Sequence, residues 1–223
     1  MGNRGNDQAA PGQGPRRVSL KHTLRLGILI SGRGSNFEAI SNSIERGALD
    51  AEIAIVISNR AAAPGIQIAL ERGIPVRIIP SVGMDREAYD KLLIEELNTH
   101  DVDLVCLAGF MRLLSAGFIN AFPGKVLNIH PSLLPAFPGL DAQRQAFDYG
   151  VKVTGCTVHF VDEFLDSGPI VLQSAVPVLD KDTVESISAR ILVQEHYAYS
   201  QAIQWISEGR AKVEGRRVII RES

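Results

Sequence analysis

The chain has 223 residues, 45% of them hydrophobic and 22% charged. That is apolar material for one large domain or two small ones, and too little charge for a disordered chain. Its formal net charge of −2 argues against a general nucleic-acid binder, which carries a basic excess. Its apolar runs fall far short of the ~20 residues that span a bilayer, and its first residues hold no apolar signal core, so a cytoplasmic protein away from membranes is expected.

Residues 1–22 are rich in Gly, Gln, Asn and Pro, lack hydrophobic periodicity and read as a flexible tail. Leu24–Ile30, apolar apart from Arg25, predicts a strand buried on both faces. A helix over Phe37–Arg46 closes at Gly47, a strand follows over Glu52–Ser58, a helix over Ala63–Arg72 and a strand over Val76–Ile79. Asp85 can cap a helix reaching about Asn98, in which Leu92, Leu93 and Leu97 recur at helical spacing and are expected in the core. Asp103–Leu107 and Val126–Ile129 are the next strands. Three prolines in HPSLLPAFPGL exclude regular structure, and Asp141–Tyr149 then looks helical. Strands over Val153–Val161 and Ile170–Val178, a long helix capped by Thr183 and running to about Glu208, and a short edge strand over Arg217–Arg221 complete the chain. This alternation predicts an α/β fold: a mostly parallel twisted sheet flanked by helices, Rossmann-like in its N-terminal half. No internal repeat and no linker is evident, so one continuous sheet is expected. Cys106 and Cys156, the two cysteines, sit in apolar stretches and are expected as buried, reduced thiols.

Three segments carry chemistry. Gly32-Arg33-Gly34-Ser35-Asn36 lies between the first strand and the first helix, where doubly wound folds bind phosphate. The dinucleotide fingerprint fails at Phe37, and the Gly-Lys-Ser/Thr of a P-loop is absent, so the loop suits a phosphate monoester or is a structural tight turn. Asn128 and His130 point to the same side of their strand at its carboxyl end, where an amide and an imidazole together can polarise a carbonyl and move a proton; a structural His is the alternative. The acid-rich turn Asp162–Pro169 is either solvated or holds Asp166 to orient His130 and accept a proton. His159 is a core histidine or one standing behind a catalytic residue, and Glu195 on the last helix needs a partner, a substrate hydroxyl or a structural group. His22 and His100 look like surface residues. Ser35 and Ser132 lack the G-x-S-x-G setting of an acyl-serine nucleophile, and no Cys/His cluster has metal-ligand spacing.

Taken in order, SGRGSN, LAGFMRLLS, NIHPSLLPAFPG, TVHFVDEFLDSGPIVLQ and QEH resemble the phosphoribosylglycinamide formyltransferases, a branch of the folate-dependent formyltransferases, over about Leu24 to Gly209. The resemblance implies a single formyltransferase domain over residues 23–223, with a phosphate- and nucleotide-binding half (23–110) and a folate-binding, catalytic half (111–223). It implies transfer of a formyl group from 10-formyltetrahydrofolate, the co-substrate, to the amine of glycinamide ribonucleotide in purine biosynthesis, without a metal. Asn128, His130 and Asp166 match the catalytic trio. Gly34, Ser35, Asn36, Asn128, Leu192, Val193, Gln194 and Glu195 match ribonucleotide-binding positions. Arg86, Met111, Arg112, Leu113, Leu114, Asn128, Asp162, Glu163, Phe164, Leu165 and Asp166 match folate-binding positions. Gln143, Val193 and Ser200 depart from the family pattern without touching the trio. The partners so implied are small-molecule substrates, with no nucleic acid, in a monomer or weak homodimer. Three rival readings remain: a 10-formyltetrahydrofolate deformylase, which would be expected to carry an extra N-terminal regulatory domain; a methionyl-tRNA formyltransferase, which would need a basic RNA-binding domain; and a non-catalytic Rossmann-type nucleotide binder, which leaves the trio unexplained.

Overall fold

Leu26, Ile28 and Ile30 alternate with Leu29, and both sets are fully buried, because this strand has helices on both faces. The computed structural model describes residues 22–222, so the tail expected over 1–22 lies, but for His22, outside the described residues. The N-terminal half alternates β1 (Leu24–Ile30), α1 (Ser35–Glu45), β2 (Ala51–Ser58), α2 (Gly65–Glu71), β3 (Val76–Ile78), α3 (Arg86–Thr99), β4 (Leu104–Leu107), α4 (Ala116–Ala121) and β5 (Val126–His130). The remainder runs α5 (Ala142–Tyr149), β6 (Val153–Phe160), β7 (Ile170–Pro177), α6 (Val184–Ser207), β8 (Ala211–Glu214) and β9 (Arg217–Ile220). All nine strands form one sheet in the order β3-β2-β1-β4-β5-β6-β7-β9-β8. β1 to β5 pair in parallel, whereas β6 pairs antiparallel with both β5 and β7. The expected mixed α/β architecture and the single sheet are therefore what the chain adopts.

One face carries Leu26, Ile28, Phe37, Ile191 and Tyr199 under α1 and α6; the other carries Leu29, Tyr89, Leu93, Leu97 and Phe118 under α3 and α4. The helix starts follow from their caps. Asp85 accepts from the Ala88 N–H at 3.0 Å, and Thr183 accepts from the Ser186 N–H at 3.3 Å. Because strand order reverses at β1, the loops after β1 and β4 flank a crevice at the carboxyl ends of the parallel strands.

Three readings need correction, and one short helix left no mark in the sequence. Leu92 is 39% exposed and lies outside the core that Leu93 and Leu97 join, since its position falls on the outer flank of α3. The segment over Arg217–Arg221 is not the edge: β8 pairs antiparallel with β9 and takes the edge instead. The six-residue α4, capped by Ser115, had no periodic signal long enough to announce it. His100 is only partly exposed, its Nδ1 lying 2.9 Å from the Glu96 carbonyl.

Cys106 and Cys156 are free and buried, and burial pushes both thiols up to about 12. Labelling of the native protein by a thiol reagent at pH 8 is accordingly expected to be as slow as unfolding. Rapid stoichiometric modification before unfolding would show that these side chains are reachable.

Candidate active site

His130 ends β5, and Asn128 sits two residues earlier on the same side of the strand. The antiparallel pairing of β5 with β6 puts Asn128 opposite His159 and His130 opposite Thr157. Asp166 comes from the turn between β6 and β7, where it holds a left-handed backbone at φ 47°. That turn has no room to relax, because a Cβ at Gly168 would run into the Phe160 carbonyl. The result is a tight cluster. His130 Nδ1 lies 3.4 Å from Asp166 Oδ2, His159 Nε2 lies 3.8 Å from Asp166 Oδ1, and Asn128 Nδ2 lies 3.2 Å from His159 Nε2. The side chains of His130, His159 and Asp166 are 6%, 2% and 10% exposed, so their charges interact in a medium poorer in water than the surface.

The proline-rich loop closes over this cluster. The Gly139 N–H donates to Asp166 Oδ2 at 2.8 Å, and His130 Nε2 is 2.9 Å from the Phe137 carbonyl. The loop is pinned from behind: Ser132 Oγ donates to the Ala136 carbonyl, and the Leu134 N–H donates to Thr157 Oγ1 at 3.0 Å.

A second cluster joins the glycine loop to the last helix. Gly34 is the N-cap of α1 at φ 76°, and Asn36 follows in the first turn. Asn36 Nδ2 donates to Glu195 Oε2 at 2.7 Å across 159 residues, which supplies the partner that an inward Glu195 requires. Burial pushes the Glu195 carboxyl above its ordinary range, while the Asn36 hydrogen bond, His130 and Arg33 pull the other way. Asn36 Oδ1 is buried and has no hydrogen-bond partner. Gln194 accepts from Ser174 Oγ at 2.6 Å, whereas Val193 is 64% exposed and lines an outer groove between α1 and α6 with His196 and Tyr197. That groove, about 470 Å³ in volume, holds none of Asn128, His130 and Asp166.

The residues matched to folate contacts split into two kinds. Met111, Leu113, Phe164 and Leu165 are each more than half exposed and give apolar surface for a flat ring. Arg112 instead turns inward, stacking on the Tyr89 ring at 4.6 Å and donating to the Ser81 carbonyl at 3.2 Å. Leu114 packs against the core, Asp162 accepts from the Phe164 N–H at 3.0 Å, and Glu163 and Arg86 are exposed.

Sequence reasoning missed a buried relay beside this segment. The Met111 N–H donates to Ser31 Oγ at 2.8 Å, Ser31 Oγ donates to Asn59 Oδ1 at 2.6 Å, and Asn59 Nδ2 donates to Ser81 Oγ at 3.2 Å. It ties the ends of β1 and β2 to the loops after β3 and β4. The apolar run up to Ile30 gives no signal for it, since Ser and Asn at strand ends also serve ordinary turns.

A formyl transferase family model matches residues 24–203. The chain is 44% identical over 187 residues to phosphoribosylglycinamide formyltransferase of Escherichia coli K12, covering 83% of this chain and 88% of that protein. It is 48% identical over 190 residues to the trifunctional purine biosynthetic protein adenosine-3 of Bos taurus, covering 85% of this chain. The chain spans only 19% of the length of that relative. Among solved structures, glycinamide ribonucleotide transformylase 1 of Symbiobacterium toebii superposes with a TM-score of 0.90 at 50% identity, covering 95% of this chain and all of that one.

Proposed function

The chain belongs to the formyl transferase family, and from that premise we propose that it moves the formyl group of 10-formyltetrahydrofolate to the amine of glycinamide ribonucleotide, a step of purine synthesis. The observation that carries the proposal is the buried cluster that gathers an amide, an imidazole and a carboxylate at the end of β5. Asn128, His130 and Asp166 form the chemical centre there, and the Asn36–Glu195 pair at the start of α1 forms the second cluster.

The amine nitrogen attacks the formyl carbon, the C–N bond forms, and the formyl oxygen takes on negative charge. An Asn128 N–H stabilises that oxygen, joined by the protonated His130 ring once its Nε2 exchanges the Phe137 carbonyl for the formyl oxygen; one such donor is commonly worth about 10²–10³ in rate. Asp166 compensates the charge of the ring and, directly or through water, takes the proton that the amine must lose. As the bond to folate N10 breaks, that nitrogen receives the proton, so charge and protons balance and tetrahydrofolate leaves. Gly34, Ser35 and Asn36 hold the phosphate at the start of α1, where free N–H groups face an anion. Glu195 and the unpartnered Asn36 Oδ1 accept from ribose hydroxyls or the amide. Met111, Leu113, Phe164 and Leu165 cover the folate ring.

This reading treats residues 23–223 as one catalytic domain, with the phosphate half at 23–110 and the folate half at 111–223. It expects a cytoplasmic monomer or weak homodimer. Among the described residues no helix is long and apolar enough to cross a membrane.

The deciding assay follows formyl transfer from 10-formyltetrahydrofolate to glycinamide ribonucleotide and runs the same mixture without the acceptor. Transfer is expected only with both substrates; hydrolysis at equal rate without the acceptor would make the protein a deformylase. Activity is also expected to survive prolonged chelation. Loss that one particular metal restores would overturn the metal-free route.

A further inference from the structure

Asn128 has two ends, and only one of them can stabilise a formyl oxygen. The amide must present an N–H; turned over, it would present its carbonyl to the growing negative charge. Nothing in β5 itself sets this choice, because the side-chain torsion of Asn is broad and two-fold.

The neighbour that faces the amide is His159, directly across the β5–β6 pairing and 1% exposed. Its Nδ1 lies 2.9 Å from the Phe160 carbonyl, which can only accept, so Nδ1 must carry the hydrogen. Burial disfavours the charged ring, against the opposing pull of that carbonyl and of Asp166. A neutral ring with its hydrogen on Nδ1 leaves Nε2 as an acceptor, and Asn128 Nδ2 lies 3.2 Å from it. With the amide reversed, two lone pairs would meet at that distance in a buried site. Asp166 Oδ1, 3.8 Å from the same nitrogen, is a second acceptor and offers Asn128 no alternative donor.

We propose that His159 is a positioning residue, which holds Asn128 with one amide hydrogen on its own Nε2 and the other facing the formyl oxygen. The proposal rests on the formyl-transfer reading of the site. His159 itself touches no reacting atom. Its part is to make the oxyanion donor present before the substrate arrives, which is where preorganised hydrogen bonds gain their effect.

Two variants and one measurement on the unaltered protein test this. His159→Phe keeps a buried ring and removes the acceptor. It is expected to lower kcat by about 10–100-fold, reaching at most the lower end of the roughly 10²–10³ seen when an oxyanion donor is removed outright, because the donor is misaligned and not deleted, with both KM values within about threefold. His159→Gln offers a carbonyl oxygen to Asn128 Nδ2 and is expected to recover most of the loss. A Phe variant within about threefold of wild-type kcat, or a Gln variant no better than Phe, overturns the proposal. Imidazole ¹⁵N NMR of the wild-type protein at pH 7.5 reads the tautomer without relying on folding of a variant or on any assay. The expected spectrum shows a bare His159 Nε2; a hydrogen on Nε2 overturns the proposal. An unaltered protein that transfers no formyl group fails the functional reading instead, and leaves the NMR result standing.

Discussion

Replacing Asp166 by Asn is expected to lower kcat for formyl transfer by about 10²–10⁴, or about 3–5 kcal/mol of barrier, with the fold intact. The structure makes this substitution unusually clean. Asp166 occupies a left-handed backbone at φ 47°, which Asn adopts as readily as Asp. An Asn carbonyl oxygen in the place of Oδ2 still accepts from the Gly139 N–H, so the loop over the site keeps its tie. What disappears is the negative charge 3.4 Å from His130 and, on the proposed route, the group that takes the proton of the amine. A protonated imidazole at 6% exposure then has no counter-charge, and the formyl oxygen loses its charged donor. Because these interactions matter mainly in the transition state, kcat and kcat/KM should fall together. Binding of either substrate, titrated directly, should change by less than about tenfold. An Asn variant that keeps more than about a tenth of wild-type kcat would make the carboxylate structural, and the proton route would need another acceptor.

The strands with both faces covered were the most legible part of the chain. Leu26–Ile30 and Leu104–Leu107 are short apolar runs because helices lie on either side. The glycine loop and the Asn128–His130 pair could be read because a strand end, an anion-binding turn and a prolyl loop each leave a local mark. The C-terminal hairpin left little: Ala211–Glu214 is polar and half exposed, and it pairs only with its neighbour at the edge. Contacts that depend on register were out of reach. Alternation says which way Asn128 and His159 point, but not that they stand opposite one another, since a slip of two residues keeps every face and changes every partner. The Asn36–Glu195 pair, 159 residues apart, is of the same kind. Each residue carried a local hint of function, while the contact itself exists only once the sheet has its order.

Gly34→Ala and Gly34→Val should raise the KM for the ribonucleotide in a graded way and leave the folate KM within about threefold. Gly34 caps α1 at φ 76°, a conformation that costs an L-residue roughly 1–2 kcal/mol and a β-branched one more. A Cβ there would also lie 3.0 Å from the Gly65 Cα, a backbone atom that cannot turn aside as a side chain could. The loop can admit a side chain only by moving off that contact, which swings the N–H groups of Ser35 and Asn36 away from the place proposed for the phosphate. A charge-assisted hydrogen bond to phosphate is worth about 1.5–3 kcal/mol, so losing the alignment of one corresponds to about a 10–100-fold rise in ribonucleotide KM. Val should lie at the upper end and Ala at the lower. Some stability goes with it: for a chain this size each kcal/mol of strain lowers Tm by about 2–4 °C, so both variants should remain folded at assay temperature. The Met111 segment is tied to Ser31, three residues before Gly34, and through it to Asn59, which is why folate binding should be largely spared. A folded Gly34→Val with an unchanged ribonucleotide KM would place the phosphate elsewhere on the molecule. A rise of equal size in both KM values would mean that the loop shapes the whole crevice and does not act on the anion.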